Sequence, residues 1–253
     1  MITYSQLGKN GRLGNQMFQY AALFSVGLTR GFEIGIPKGT KLSEVFQIPN
    51  AIQLKDIRVN KLYKEKDFLF DPSIFLIPDE CDILGYFQSG NYFNLCKEAI
   101  LKEFKFKKDI EEKSNLFLTK FSGKDLCSLH IRRGDYKNLS NYHTNLGSEY
   151  YQHAIKVVND NIKNKHFLVF SDEPEWCKKN LSGDDFTIID IFDDAVEMCM
   201  MSKCKVHIIS NSSFSWWGSY LSNSPAVIAP KSWFGPEGPK NWETIYERGW
   251  IVI

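Results

Sequence analysis

Apolar residues in the second half of the chain fall into short runs separated by longer amphipathic stretches. Residues 126–131, 167–170, 186–189, 206–209 and 226–228 are runs of strand length rich in Leu, Ile, Val and Phe. Between them, residues 149–158, 173–179, 193–203 and 214–221 carry helical spacing, and Asp172 is available to cap the second of these helices. Strands that read as near-continuous apolar runs are buried on both faces. Their alternation with helices predicts parallel pairing through βαβ units, and so an α/β fold. The first half is less regular. A strand over 2–7 enters a glycine-rich turn from Gly8 to Gly14, and Met17, Tyr20, Ala21, Phe24 and Leu28 then mark a helix. A strand over 32–36 stops at Pro37, residues 82–87 predict another, and 92–104 a helix. Residues 38–80 have weak periodicity, and the charged stretch 105–113 opens a solvated connecting helix.

Ligands of open α/β sheets bind beyond the carboxyl ends of the strands, so the polar residues there are the candidates for chemistry. Three segments stand out. In His130-Ile-Arg-Arg-Gly-Asp-Tyr136, alternation sends Arg132 and Arg133 to opposite sides. One faces a ligand, where a guanidinium pairs bidentately with phosphate oxygens, and the other holds the loop. Asp135 orients a guanidinium or accepts a proton. On residue type alone, a salt-bridged surface loop fits equally well. In Ser210-Asn-Ser-Ser-Phe-Ser-Trp-Trp-Gly218, a strand gives way to a helix. The backbone N–H groups there, with the hydroxyls of Ser212 and Ser213, describe either an anion cradle or ordinary N-capping. In Gly11-Arg-Leu-Gly-Asn-Gln16, a strand-to-helix turn brings Asn15 and Gln16 to a helix start, to reach a ligand or to cap the turn. This turn is neither a P-loop nor a dinucleotide fingerprint.

Composition narrows the field. Thirty-one basic and 30 acidic residues nearly cancel, so nothing calls for nucleic acid as a partner. The six cysteines lack Cys-x-x-Cys spacing, the five histidines lack metal-ligand spacing, and no Asp-x-Asp pair is present, so no metal is expected. No charged leader precedes an apolar run and no stretch has membrane-span length, which predicts a cytoplasmic protein. Two phosphate-binding devices without a metal clamp favour a nucleotide diphosphate.

Gly11-Arg-Leu-Gly-Asn-Gln-Met-Phe-Gln-Tyr-Ala21 and the two longer segments above resemble the signature blocks of glycosyltransferase family 11, the α-1,2-fucosyltransferases. Gly85-Tyr-Phe-Gln-Ser89, Met201-Ser-Lys-Cys204 and Ile228-Ala-Pro-Lys231 resemble its minor blocks. The likeness runs in order from about residue 8 to 234. It implies a GT-B-like fold of two Rossmann-like domains facing across a donor cleft, 1–122 on the acceptor side and 123–253 binding the donor. It also implies inverting, metal-independent transfer of L-fucose from GDP-β-L-fucose to the 2-hydroxyl of a terminal galactose-type residue, with no cofactor beyond that donor substrate. The acceptor would be an oligosaccharide or glycolipid of surface polysaccharide biosynthesis, met in the cytoplasm or peripherally at the inner face of the cell membrane.

By the same resemblance, Arg132 grips the departing diphosphate and Asp135 supports its loop, Asp135 being also the candidate base. Arg133 and Asn211 are expected among the substrate-binding residues, and His130 lies by the guanine or ribose. Ser212, Ser213 and Phe214 bind phosphates through backbone amides. Asn15 and Gln16 reach the donor from the other half, and Glu197 stands where relatives carry a nucleoside-contacting Asp. The alternatives are another nucleotide-sugar donor, or a glycan- or nucleotide-binding module without turnover.

Overall fold

The computed structural model describes residues 1–134, 136 and 139–253. The chain divides into two compact units, one of Met1–Lys107 with Asn241–Glu247, the other of Lys108–Lys240 with Arg248–Ile253. The expected boundary at 122/123 therefore lies at 107/108. The helix Lys108–Leu118 (α4) buries Ile110 and Ser114 and packs on a helix of the second unit, so it is not merely a solvated connection.

In the first unit, five strands lie in the order β3-β2-β1-β5-β4, and every adjacent pair is parallel. They are β1 (Ile2–Thr3), β2 (Ile34–Pro37), β3 (Ala51–Leu54), β4 (Lys61–Lys64) and β5 (Cys81–Leu84). The helix α1 (Leu13–Arg30) is buried almost all round, as befits a central helix, and ends on Gly31 in the left-handed region at φ 67°. Short helices α2 (Lys41–Val45) and α3 (Lys97–Glu103) complete the unit.

The strand predicted over 2–7 stops at Thr3. The Asp82 carboxylate accepts from Thr3 Oγ1, Ser5 N and Ser5 Oγ, all at 2.7 Å, and so draws the chain off the ladder. The strand predicted over 82–87 likewise ends at Leu84, and Phe87 takes a left-handed φ of 52°. The helix predicted from 92 begins as two 3₁₀ turns and becomes α-helical only at Lys97. Strands β3 and β4 were not legible because they are sheet edges with largely exposed side chains, Lys61 and Lys64 among them.

The second unit has six strands in the order β11-β10-β9-β6-β7-β8, again parallel throughout. These are β6 (Asp125–Ile131), β7 (Lys165–Ser171), β8 (Phe186–Ile189), β9 (Val206–Ile208), β10 (Val227–Ala229) and β11 (Ile251–Val252). Helices α5 (Ser148–Asn161), α6 (Pro174–Asn180), α7 (Asp194–Met201) and α8 (Ser213–Ser222) follow the predicted alternation, and α4 packs on α7. Cys127, Leu129 and Ile131 of β6 pack with Tyr151, Ala154 and Val158 of α5, with Phe167 and Val169 of β7, and with Ile208 and Ile228. Each large side chain in this core stabilises the unit by about 1.5–3 kcal/mol. The cysteines are free, and all but Cys96 are buried, behaving as small hydrophobes.

Register decides what the second unit's carboxyl edge displays. His130 lies opposite Phe170, Ile131 opposite Ser171, and Leu129 opposite Ile208. The loops after β6, β7 and β9 therefore leave the sheet side by side.

Candidate functional site

The loop after β6 carries the two arginines, and the loop after β7 supplies their counter-charges. Arg132 Nε lies 3.2 Å from Asp172 Oδ2, both side chains being largely covered at 17% and 22% exposure. Asp172 also accepts from the backbone N–H of Arg133 at 3.0 Å and of Gly134 at 3.1 Å. Asp172 was expected to cap α6, but its carboxylate is engaged by the arginine loop, and α6 has no side-chain cap. A Cβ on Gly134 would stand 2.9 Å from Asp172 Oδ2, so a glycine permits this approach. Arg133 makes its own pair, Nε to Glu173 Oε2 at 3.3 Å, and lies over the Trp176 ring at 4.3 Å. That pairing ties Arg133 to α6. Asp135 lies outside the described residues.

His130 ends the same strand and is buried. Its Nδ1 is shared between Ser210 Oγ at 2.7 Å and Ser215 Oγ at 2.9 Å, and its ring lies 5.7 Å from that of Phe214. Burial, with the Arg132 charge adding to it, pushes its pKa down to about 3, so the imidazole is neutral near pH 7. A neutral ring keeps a donor and an acceptor beside the arginine without adding a second cation.

The segment after β9 completes the edge. Asn211 is buried, and its amide donates to Thr144 O at 2.9 Å and Trp233 O at 2.8 Å. Its Oδ1 is buried without a hydrogen-bond partner among the described residues. Tyr136 donates its hydroxyl to the Asn211 carbonyl at 3.1 Å, and Arg132 lies 5.6 Å from the Tyr136 ring, so one residue links the arginine loop to the start of α8. The Ser212 hydroxyl accepts from Phe214 N at 3.3 Å as the N-cap, while Ser213, half-buried, opens the helix. A helix N-terminus with its positive dipole end beside a guanidinium is suited to an anion. Glu197, in the first turn of α7, is pushed up to about 7 by burial against the pull of the Phe192 amide.

In the first unit, Gly11 adopts φ 90°, and a Cβ there would meet the Asn15 side chain at 2.4 Å. Asn15 Oδ1 accepts from Gln88 Nε2 at 2.9 Å, joining this turn to the Gly85–Ser89 stretch. Gln16 is buried, its Oε1 accepting from Leu42 N at 3.3 Å and its Nε2 donating to Gly11 O at 3.5 Å. Its amide thus braces the glycine turn from inside the unit. Gln19 Nε2 donates to Asn10 O and Gly85 O.

Sequence reasoning missed Asp172 as the arginine partner, and Ser210 and Ser215 as the partners of His130. The Asp172 contact follows from in-register pairing of β6 with β7, which sets residue 132 beside residue 172 and is not written in the sequence. Among the described residues, no group of three His, Cys, Asp or Glu side chains is arranged to hold a metal ion, and no helix is long and apolar enough to cross a membrane.

An α-1,2-colitosyltransferase of Escherichia coli is 28% identical, over 96% of each chain. An O-antigen biosynthesis glycosyltransferase of the same organism, WbnK, is 27% identical, over 89% of this chain and 93% of its own. Among solved structures, the α-1,6-fucosyltransferase NodZ of Bradyrhizobium soaked with GDP-fucose superposes with a TM-score of 0.58 at 16% identity, covering 95% of this chain and 96% of its own. The two parallel-sheet units are accordingly GT-B-like. The model of glycosyl transferase family 11 matches residues 3–253, a span that holds the glycine turn, the arginine loop and the serine-rich helix start together; the chain belongs to that family.

Proposed function

We propose that this glycosyltransferase moves L-fucose from GDP-β-L-fucose to the 2-hydroxyl of a terminal galactose-type residue, with inversion and without a metal. The observation that carries this reading is the arginine loop pinned by Asp172 alongside the N-terminus of α8. In the proposed reaction the acceptor oxygen attacks the anomeric carbon on the face opposite GDP. The bond from that carbon to the β-phosphate oxygen breaks, and the hydroxyl proton leaves to a base or water. Negative charge grows on the departing phosphate. Arg132 and the backbone amide of Ser213 stabilise it there, and donors fixed in advance are most effective in the transition state. His130, Arg133, Asn211, Ser212 and Glu197 shape the nucleotide side, and Asn15 contributes from the first unit. Gln16 acts through the turn it braces, and Asp135 keeps the role that the family pattern gives it. The second unit holds the donor and the first the acceptor, an oligosaccharide or glycolipid reached from the cytoplasm or the inner membrane face.

A second donor is favoured by the colitosyltransferase relative. Colitose is fucose without its 3-hydroxyl, so the two donors differ at one hydrogen-bonding group. The test is a donor panel of GDP-fucose, GDP-colitose and UDP-galactose against β-galactosides, with release of GDP or UDP measured as the donor requires and the linkage read by NMR. Fucose joined α-1,2 is expected, with activity retained in EDTA. Preference for GDP-colitose would move the reading to the second donor. No turnover with any pair, together with no GDP binding by calorimetry, would overturn both.

A further inference from the structure

The Gly85-Tyr-Phe-Gln-Ser89 block touches the donor side through the Gln88–Asn15 bond, while its first two residues, Gly85 and Tyr86, line a cavity of about 280 Å³ within the first unit. Residues after three parallel strands meet there: Asn10 in the loop beyond β1, Glu65 to Phe68 beyond β4, and Gly85 and Tyr86 beyond β5. This is the carboxyl edge of the sheet, where open α/β units bind ligands. Sites for whole small molecules span about 300–1,000 Å³, so this volume suits a single ring better than a nucleotide.

The chemistry of the lining suits a neutral sugar. The side chains of Lys64, Lys66, Glu65 and Asp67 offset one another in formal charge, so no net cation invites a phosphate. Phe68 and Tyr86 stack at 6.1 Å between centroids with planes 28° apart, and Tyr86 is 37% exposed. An exposed aromatic face accepts the C–H face of a pyranose, burying apolar area while the ring hydroxyls stay at its edge. Glu65 stands beside this platform. Its two oxygens accept from Tyr86 N at 2.6 Å and Phe87 N at 2.9 Å, and each oxygen keeps a further lone pair for a hydroxyl donor. Burial raises its pKa to about 7.

The pocket is also built to hold its shape. A Cβ on Gly85 would lie 2.4 Å from Glu65 Cβ, so only glycine lets the carboxylate reach the following amides. Tyr4 fixes Gly85 from behind, its hydroxyl bonding both the carbonyl and the N–H of that residue. Phe87, at its left-handed φ, is buried edge-on against Tyr4 and Tyr92. A backbone held in a sparsely populated region by its surroundings is characteristic of ligand-clamping sites.

We propose that this cavity is the acceptor-sugar subsite, with Tyr86 and Phe68 as the stacking platform and Glu65 as the group that selects ring hydroxyls. The assignment rests on the glycosyltransferase reading, but binding tests it without turnover. Saturation-transfer NMR of the intact chain with lactose and N-acetyllactosamine, in the absence of any nucleotide sugar, should show transfer to the galactose ring. Tyr86→Ala should weaken that signal clearly and Tyr86→Trp should preserve it. In the transfer assay, Tyr86→Ala should raise the acceptor KM about fivefold or more, and Glu65→Gln about tenfold. The GDP-fucose KM should not move in either variant. Because Tyr86 is exposed, its substitution leaves the fold intact, and unchanged circular dichroism and GDP affinity will verify this. Failure of every donor in the presence of Tyr86-dependent glycan binding would discard the transfer reading and leave the subsite standing. Acceptor KM and saturation transfer unaffected by Tyr86→Ala would overturn the subsite.

Discussion

Replacing Asp172 by Asn tests how the arginine loop is held. The carboxylate takes three donors: the N–H groups of Arg133 and Gly134 and the Nε of Arg132. Asparagine keeps one acceptor oxygen and turns an NH2 toward a donor that then has no partner, a loss of about 1–3 kcal/mol. The Arg132 pair is partly exposed and adds no more than about 1 kcal/mol. A net destabilisation of about 2 kcal/mol is therefore expected, concentrated in the second unit. Five of the six tryptophans lie there, at 176, 216, 217, 233 and 250, so urea unfolding followed by tryptophan fluorescence reads that unit. The same change should lower kcat on the order of tenfold by loosening Arg132, and Arg132→Ala should lower it a hundredfold or more. If Asp172 acts on turnover through Arg132, the double variant should be no slower than Arg132→Ala alone. Wild-type midpoint and rate in Asp172→Asn, or rate losses that multiply in the double variant, would refute the reasoning.

Arg132→Lys should be nearly as slow as Arg132→Ala, since an ammonium cannot reproduce a planar fork; steady-state rates near wild type would contradict the assignment. Gly11→Ala should cost about 1–3 kcal/mol, because φ is 90° there and the new methyl would meet Asn15 at 2.4 Å. An unchanged urea midpoint would show that the turn can relax. Acid should destabilise the second unit through its buried histidines. His130 and His207 are depressed by burial to about 3 and about 4, so the unfolded chain binds their protons first. Their contribution is complete above about pH 6.5 and is lost as pH falls toward 3. Glu197, raised to about 7, works the other way, its contribution fading as pH climbs from about 4.5 to 7. The check is therefore a comparison across pH 7 to 4: His130→Gln should flatten the fall in urea midpoint relative to wild type, and identical slopes would rule the histidine out.

The alternation of β6 to β10 with α5 to α8 was legible because parallel strands covered on both faces need little but apolar residues. The three polar segments were legible for a related reason, since each interrupts that pattern where a strand ends. Within them the residue types were clear and the duties were not. Gln16 looked like a ligand contact and braces a turn; Asp172 looked like a helix cap and holds the arginine loop.

The sequence by itself determined the α/β class, the strand–helix order of the second unit and the family to which the chain belongs. Each of these is local, written in periodicity, composition or a contiguous motif. Tertiary structure alone decided that residues 241–247 rejoin the first unit, that Asp82 ends β1 early, that β3 and β4 form edges, and that Glu65, Phe68 and Tyr86 line one cavity. Those outcomes depend on partners far apart in the chain, brought together by sheet register and burial, and no local pattern encodes which distant carboxylate or ring will arrive.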